Sequence, residues 1–292
     1  MKKIGIVTDS CGGITIEEAN KLGIKILPMS FCFGEECFYE NISITREEFF
    51  NKLNLGEKVS TSQPAIKDVM NVWDEALEEY DQILHFPLSS ALSGSCNTAK
   101  MLSQEDEYEG KVFVVDNGRI ATPMHRTLLD ALELIEEGFE AEKIVEILEK
   151  SKDDMSIYIA VETLEFLKRG GRISAATAAI GTALNIKPIL TIETTGIGSY
   201  KKSRGMKKAR REMLEAIKSD LETKFKDYYD NNEVYMMAAT SADEETTKGW
   251  VEEIKEFFPG MKVLCDDLAL AIACHTGEGA LGVGFSCRPK RQ

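Results

Sequence analysis

Short apolar runs alternate along the chain with longer stretches in which apolar residues recur at helical spacing. Runs at 4–8, 24–29, 83–88 and 112–115 predict strands, and segments 15–22, 46–53, 65–80, 97–102, 122–137 and 141–151 predict helices. Thr15 is placed to cap the first helix, with Glu17 and Glu18 in its first turn. Pro64 sits where a helix start loses least by a missing N–H. This alternation predicts a parallel, doubly wound sheet covered on both faces. Beyond about residue 151 the character changes. Strands are expected at 156–161, 187–193, 234–240, 261–264 and 281–286, with helices at 174–184, 206–229 and 243–258. Gly170-Gly171 reads as a left-handed helix end. Two α/β domains, residues 1–152 and 153–292, are therefore expected in a chain of 292 residues.

Residues 82–100 are the most informative stretch. An apolar strand gives way there to small hydroxylated residues at a helix start. Such a turn offers free backbone N–H groups and the positive end of a helix dipole. Ser89, Ser90, Ser93 and Ser95 surround Gly94. One serine satisfies a cap, and four exceed that need, so the loop is expected to hold an anionic oxygen, carboxylate or phosphate. Asp9–Gly13 and Thr61-Ser62-Gln63-Pro64 are similar turns on or near the same sheet edge, where doubly wound folds bind ligands. A capped helix explains the second of these equally well.

His275-Thr276-Gly277-Glu278-Gly279-Ala280 lies between the apolar run 268–273 and the last strand. Its two glycines imply a sharp bend or a close approach. His275 is a candidate anion donor, general base or plain loop residue. His85 reads as a core residue, and His125 as a helix residue near an anionic turn.

Composition narrows the chemistry. No apolar stretch approaches the roughly 18 residues needed to cross a bilayer. The charged start Met1-Lys2-Lys3 runs into a strand and not into a secretory segment, so the cytoplasm is the expected compartment. A net charge of −14 argues against nucleic acid as a partner. Residues 200–211 stand apart, with seven basic side chains in an acidic chain. The cysteines (Cys11, Cys32, Cys37, Cys96, Cys265, Cys274, Cys287) show no C-x-x-C spacing and are expected as buried free thiols, not zinc ligands. The G-x-S-x-G elbow, the Walker loop and G-x-G-x-x-G after the first strand are all missing.

Several stretches together resemble the DegV-type bacterial fatty-acid-binding proteins. In order they are Ile6-Val-Thr-Asp-Ser10, Ile44-Thr-Arg-Glu-Glu-Phe-Phe50, Thr61-Ser-Gln-Pro64, Ser89-Ser-Ala-Leu-Ser-Gly94, Glu162-Thr-Leu-Glu-Phe-Leu-Lys-Arg-Gly-Gly-Arg-Ile-Ser174, Leu184-Asn-Ile-Lys-Pro-Ile-Leu190, and His275-Thr-Gly277 with Gly279-Ala-Leu-Gly-Val-Gly284. The resemblance implies a doubly wound parallel sheet followed by a mixed sheet, with one palmitate- or stearate-like fatty acid in a tunnel between them. It places the carboxylate on Thr61, Ser62, Ser93 and His275, with Gly94 in the same turn. It implies no metal, no other cofactor and no catalysis by the chain. The bound acid is presented to a separate ATP-dependent fatty acid kinase, whose acyl phosphate feeds phospholipid synthesis. Arg169, Arg172, Lys201, Lys202 and Arg204 are the candidate kinase-docking residues; alternatively, the basic stretch is the solvated start of a long helix. Glu278 stands where the family usually has Pro, and Ala91 where it usually has Gly.

The energetics agree with that expectation. Burying about fourteen to sixteen methylenes offers more than ~10 kcal/mol before ordering costs. A carboxylate in an apolar tunnel must be hydrogen-bonded. The three turns hold no lysine, so neutral donors are expected to do this. The competing expectations are a Ser/His acyl hydrolase or transferase using Ser93 and His275, and a lipid-responsive regulator. The first lacks a nucleophile elbow and an orienting carboxylate.

Overall fold

The computed structural model describes residues 2–174 and 185–291. The first half runs β1 (Ile4–Asp9), α1 (Ile16–Leu22), β2 (Ile24–Leu27), β3 (Ser30–Phe33), β4 (Glu36–Tyr39), α2 (Arg46–Asn54), β5 (Val59–Thr61), α3 (Ile66–Leu77), β6 (Gln82–Phe86), α4 (Ser95–Leu102), β7 (Val112–Val114), α5 (Thr122–Glu136) and α6 (Ala141–Lys150). Then follow β8 (Met155–Ala160), α7 (Glu165–Arg169), β9 (Ile186–Glu193), β10 (Gly196–Arg204), α8 (Met206–Glu222), α9 (Lys226–Asp230), β11 (Val234–Thr240), α10 (Glu244–Phe257), β12 (Val263–Asp267), α11 (Leu270–Thr276) and β13 (Leu281–Cys287).

Strands β2-β1-β6-β7 form a wholly parallel sheet. β1 and β6 are buried along their whole length, as strands covered on both faces must be. The chain reverses its winding direction between β1 and β6, so the turns after these two strands face one crevice. The second sheet is mixed, in the order β10-β9-β8-β13-β11-β12, with β11 and β12 its parallel pair. Two α/β sheets of these kinds were expected. Thr15 caps α1 by accepting from Glu18 N–H, and Thr45 with Glu48 forms a capping box on α2.

A third sheet, β4-β3-β5, was not expected. The predicted strand at 24–29 stops at Leu27, and the chain folds into a hairpin whose turn has Gly34 at φ 61°. Phe31 and Phe33 pack against Phe49 of α2, with ring centroids 5.1 and 5.6 Å away. The same hairpin corrects the cysteine expectation: Cys32 and Cys37 form a disulfide. Cys11, Cys96, Cys274 and Cys287 are buried free thiols, and Cys265 is half-buried.

Two further differences concern the second half. Lys201, Lys202 and Arg204 lie on β10, paired with β9, and not on the long helix, which begins at Met206 as expected. That helix ends at Glu222; Thr223 takes φ −122° and ψ −85°, and α9 restarts after Phe225. Gly171 adopts φ 68° after α7, as expected of a left-handed helix end. The helix expected over 174–184 lies outside the described residues beyond Ser174.

The elements after residue 150 do not all serve the second sheet. α11 places Leu270, Ala271, Ala273 and Cys274 in the core formed by Phe31, Phe49, Phe50 and Leu84. Leu270 N–H donates to Glu40 Oε2 at 2.7 Å, and Arg46 Nη1 donates to the Leu268 carbonyl at 3.0 Å. The fully buried Arg119 donates to Thr127 Oγ1, Ser286 Oγ and the Ser151 carbonyl, tying α5 to β13.

Candidate functional site

A cavity of about 1110 Å³, its open mouth included, lies between the two main sheets. Its walls come from both. Cys11, Leu88, Leu92, Ile120 and Pro123 line it from the loops and α5 of the first half. Ile157 and Ile159 of β8, Leu190 and Ile192 of β9, Ile197 of β10 and Met237 of β11 line it from the second sheet. Alternation along a strand explains the depth of the cavity. On β13, Leu281 and Phe285 pack into the second core, while Gly282 and Gly284 face the cavity and bring no side chain into it. Gly282 pairs with Ile159 and Gly284 with Ile157, so these glycines open space along the middle of the sheet.

Thr122 Oγ1 and Thr276 Oγ1 on the lining donate to the carbonyls of Ala238 and Gly277, and the other polar side chains form a patch. Thr61, Ser62, Ser93, Arg172 and His275 all line the cavity. Thr61 ends β5, and its Oγ1 lies 2.9 Å from His275 Nε2. α3 starts with Ala65 as its N-cap and no side-chain cap bond, so the Thr61 and Ser62 hydroxyls are not spent on capping. Ser62 Oγ lies 3.2 Å from Ser30 Oγ at the exposed rim. Gln63 Oε1 accepts from Thr98 Oγ1 at 3.2 Å, joining the Thr-Ser-Gln-Pro turn to α4. A Cβ at Gly94 would lie 2.9 Å from that Gln63 oxygen, so a side chain there would displace the Gln63 amide.

The four serines of the loop divide their work. Ser89 Oγ accepts from Ala91 N–H inside the turn, and Ser90 hydrogen-bonds Asp116. Ser95 is buried in the first turn of α4. Ser93 alone of the four lines the cavity, and its Oγ accepts from Ser95 N–H at 3.2 Å, leaving its own proton free to donate. The expectation of four clustered hydroxyls is thus corrected to one, because Ser89 and Ser90 bond elsewhere and Ser95 Oγ is buried away from the cavity without a partner. Beneath the loop, buried Asp9 accepts from Cys11 N–H at 2.9 Å and Leu88 N–H at 2.7 Å. Burial raises its pKa to about 6 against the pull of those two N–H bonds.

His275 is the penultimate residue of α11 and not part of a loop. Burial first, and the Arg172 charge second, lower its pKa to about 4, so the imidazole is neutral near pH 7. Its Nδ1 has no hydrogen-bond partner and lies against Gly170, where a Cβ would overlap the ring. A proton on Nδ1 would be wasted, so it is assigned to Nε2, donating to Thr61 Oγ1. The Thr61 O–H then remains available to a ligand.

Arg172 changes the expected electrostatics. It lies half-buried and donates to the carbonyls of Leu92 (3.3 Å) and Gly170 (2.5 Å). Among the described lining residues it is the one cation, so the patch is not a set of neutral donors alone. The turn at Gly170-Gly171 folds Arg172 back toward the cavity. The other candidate docking residues lie elsewhere. Arg169 is exposed and pairs with Glu165, Lys201 pairs with Glu212 at 3.0 Å, and Lys202 and Arg204 project exposed from β10.

His85 is a core residue, its Nδ1 accepting from Trp73 Nε1 at 3.0 Å and its pKa lowered by burial to about 3. His125 is buried against Asp266, with Nδ1 3.1 Å from Oδ2. Burial works to lower its pKa, but Asp266 and Glu18 outweigh it and hold it above the usual value.

The arrangement suits binding better than acyl transfer. His275 bonds Thr61 and not Ser93 among the described contacts, no carboxylate orients its Nδ1, and its depressed pKa makes it a weak base.

Residues 3–288 match the family described as "Uncharacterised protein, DegV family". Protein DegV of Bacillus subtilis (strain 168) is 31% identical over 291 residues, spanning 96% of this chain and 98% of the relative. The solved structure of a DegV family protein from Thermus thermophilus, described by its fatty acid binding, has a TM-score of 0.85 at 33% identity, covering 98% of this chain and 99% of that one. The crystal structure of Bacillus subtilis DegV, described as a fatty acid binding protein, gives a TM-score of 0.82 at 29% identity, covering 98% and 100%.

Proposed function

The chain belongs to the DegV family, and from that premise we propose that it binds one long-chain fatty acid, palmitate- or stearate-like, in the cavity between its sheets. The observation that carries this reading is the cavity's division into largely apolar walls and a polar patch at Thr61, Ser93, Arg172 and His275. The acyl chain lies along β8, β9 and β13, where each methylene removed from water contributes about 0.8 kcal/mol. The carboxylate meets Thr61 O–H, Ser93 O–H and the Arg172 guanidinium, while neutral His275 orients Thr61. Ser62 and Gly94 border the site at the exposed rim.

In this reading the chain is a carrier and performs no chemistry. Its exposed rim offers the head group to a separate ATP-dependent fatty acid kinase, and the resulting acyl phosphate supplies phospholipid synthesis. Lys202 and Arg204, with Arg169 and Lys201 beside acidic partners, are the cations proposed to meet that kinase.

The test is direct. Protein purified from a bacterial host is denatured, extracted and analysed by mass spectrometry, and delipidated protein is titrated with a long-chain acid. Stoichiometric acid and saturable binding are expected. An empty protein that takes up no acid when offered one would end the proposal.

A further inference from the structure

The β3–β4 hairpin carries the disulfide Cys32–Cys37, whose residues are directly opposed across the antiparallel pair. The bridge spans a sequence separation of only 5, so it removes little freedom from the unfolded chain. The hairpin is also held without it. β3 is hydrogen-bonded on both sides, and Phe31, Phe33 and Phe38 are buried beneath. Yet the bridge lies at the surface, with Cys37 exposed and Cys32 half-buried. The remaining thiols are poor competitors for redox chemistry. Burial pushes Cys265 up to about 11 and Cys96 and Cys287 up to about 12, and raises Cys11 and Cys274 as well.

Position gives the pair a further consequence. β3 is shared between the disulfide and the cavity's polar patch. Cys32 is paired with Ser60 and Phe31 with Thr61 across β3 and β5, and Ser30 Oγ contacts Ser62 Oγ. We propose that Cys32–Cys37 is a reversible thiol–disulfide modification site, reduced by a thiol or dithiol, whose state sets how firmly Thr61 and Ser62 are held. Its effect on ligand rests on the fatty-acid reading above. In the forward step a reductant thiolate attacks Cys37 Sγ, the Sγ–Sγ bond breaks, and Cys32 leaves as a thiolate that takes up a proton. A second reductant thiolate attacks the reductant sulfur of the mixed disulfide. Cys37 is released and protonated, and the reductant leaves as its own disulfide. Two electrons and two protons enter the protein, and a disulfide oxidant reverses the step.

The folded protein is incubated with dithiothreitol, quenched with iodoacetamide and mapped by peptide mass spectrometry. Binding of a fluorescent long-chain fatty acid is measured in both states, alongside a Cys32→Ser/Cys37→Ser variant. Cys32 and Cys37 are expected to label together while the five other thiols stay protected. Affinity is expected to fall about fivefold on reduction, as for the loosening of one hydrogen bond, and to return on reoxidation. The double variant should bind like the reduced form and ignore reductant. A pair that resists dithiothreitol in the folded protein, or equal affinity in the two states, overturns the proposal. If neither state binds acid, the fatty-acid reading fails separately, and amide exchange across residues 30–62 decides: faster exchange on reduction supports the switch, and unchanged exchange refutes it.

Discussion

Replacing Thr61 with valine removes one hydroxyl from the centre of the polar patch and keeps the shape of the side chain. Thr61 Oγ1 accepts from His275 Nε2 at 2.9 Å, which leaves its proton for the ligand carboxylate. A hydrogen bond to a charged group contributes about 1.5–3 kcal/mol. Affinity for a long-chain acid should therefore fall roughly 10- to 150-fold. The cost to the unliganded fold is smaller, about 1 kcal/mol, because His275 is only half-buried and loses one neutral partner. A fatty alcohol of the same length separates the two halves of the argument. It makes the same apolar contacts but carries no charge, so its affinity should change by less than about fivefold. Titration calorimetry of the acid and the alcohol against Thr61→Val and the parent protein gives both ratios. The assignment of Thr61 as a carboxylate donor is refuted if acid binding weakens less than about threefold, or if the alcohol weakens as much as the acid.

Three other outcomes are expected. Gly170→Ala places a methyl where the His275 ring lies, so the ring should swing away from Thr61, lowering acid affinity about tenfold and stability by about 1–3 kcal/mol; an unmoved ring in a crystal structure of the variant contradicts this. Arg172→Met removes the cavity's one described cation and should weaken acid binding about tenfold while flattening its dependence on salt, measured as Kd at low and high ionic strength. The folded state depresses the pKa of His275 from 6.5 to about 4, so between those values the unfolded chain binds a proton that the folded one refuses. Stability therefore rises with pH across that window and is lost as pH falls toward 4, by up to about 3 kcal/mol, less for the exposed part of the ring. His275→Gln should reduce that slope by up to one proton in thermal midpoints recorded from pH 4 to 6.5, and an unchanged slope contradicts the assignment.

The alternating α/β elements were legible because the strands of the parallel sheet are short, mainly apolar runs, and Thr15 and Pro64 mark helix starts chemically. The β3–β4–β5 sheet was not, because its strands are short and Phe31, Phe33 and Phe38 serve a local aromatic core with no longer period. Of the two readings of the basic stretch, the solvated start of a long helix does not hold for Lys201, Lys202 and Arg204, because pairing with β9 extends them into a strand, a case of tertiary context overriding propensity. At the site, the hydroxyl-rich turns were visible as composition. Which hydroxyls remained free was not, since the internal bonds of Ser89 and Ser90 arise only once the turn has closed. Arg172 was seen as a surface cation because sequence cannot show that the Gly170-Gly171 bend turns it inward. The pairing of Cys32 with Cys37 required the hairpin to exist first.

The position of α11 governs the order in which the chain can mature during synthesis. Its residues Leu270, Ala271, Ala273 and Cys274 fill the core under the first sheet, although they are translated long after it. The bonds from Arg46 to Leu268 and from Leu270 to Glu40 close loops of 222 and 230 residues. A ribosome-bound chain that stops before residue 268 therefore leaves the apolar faces around Phe49 and Phe50 without their cover, however complete its first strands. Closing loops of that length is slow, and the exposed surface invites chaperones in the interval. His275 reaches Thr61 in the same late docking event, so the ligand site and the first core are finished together.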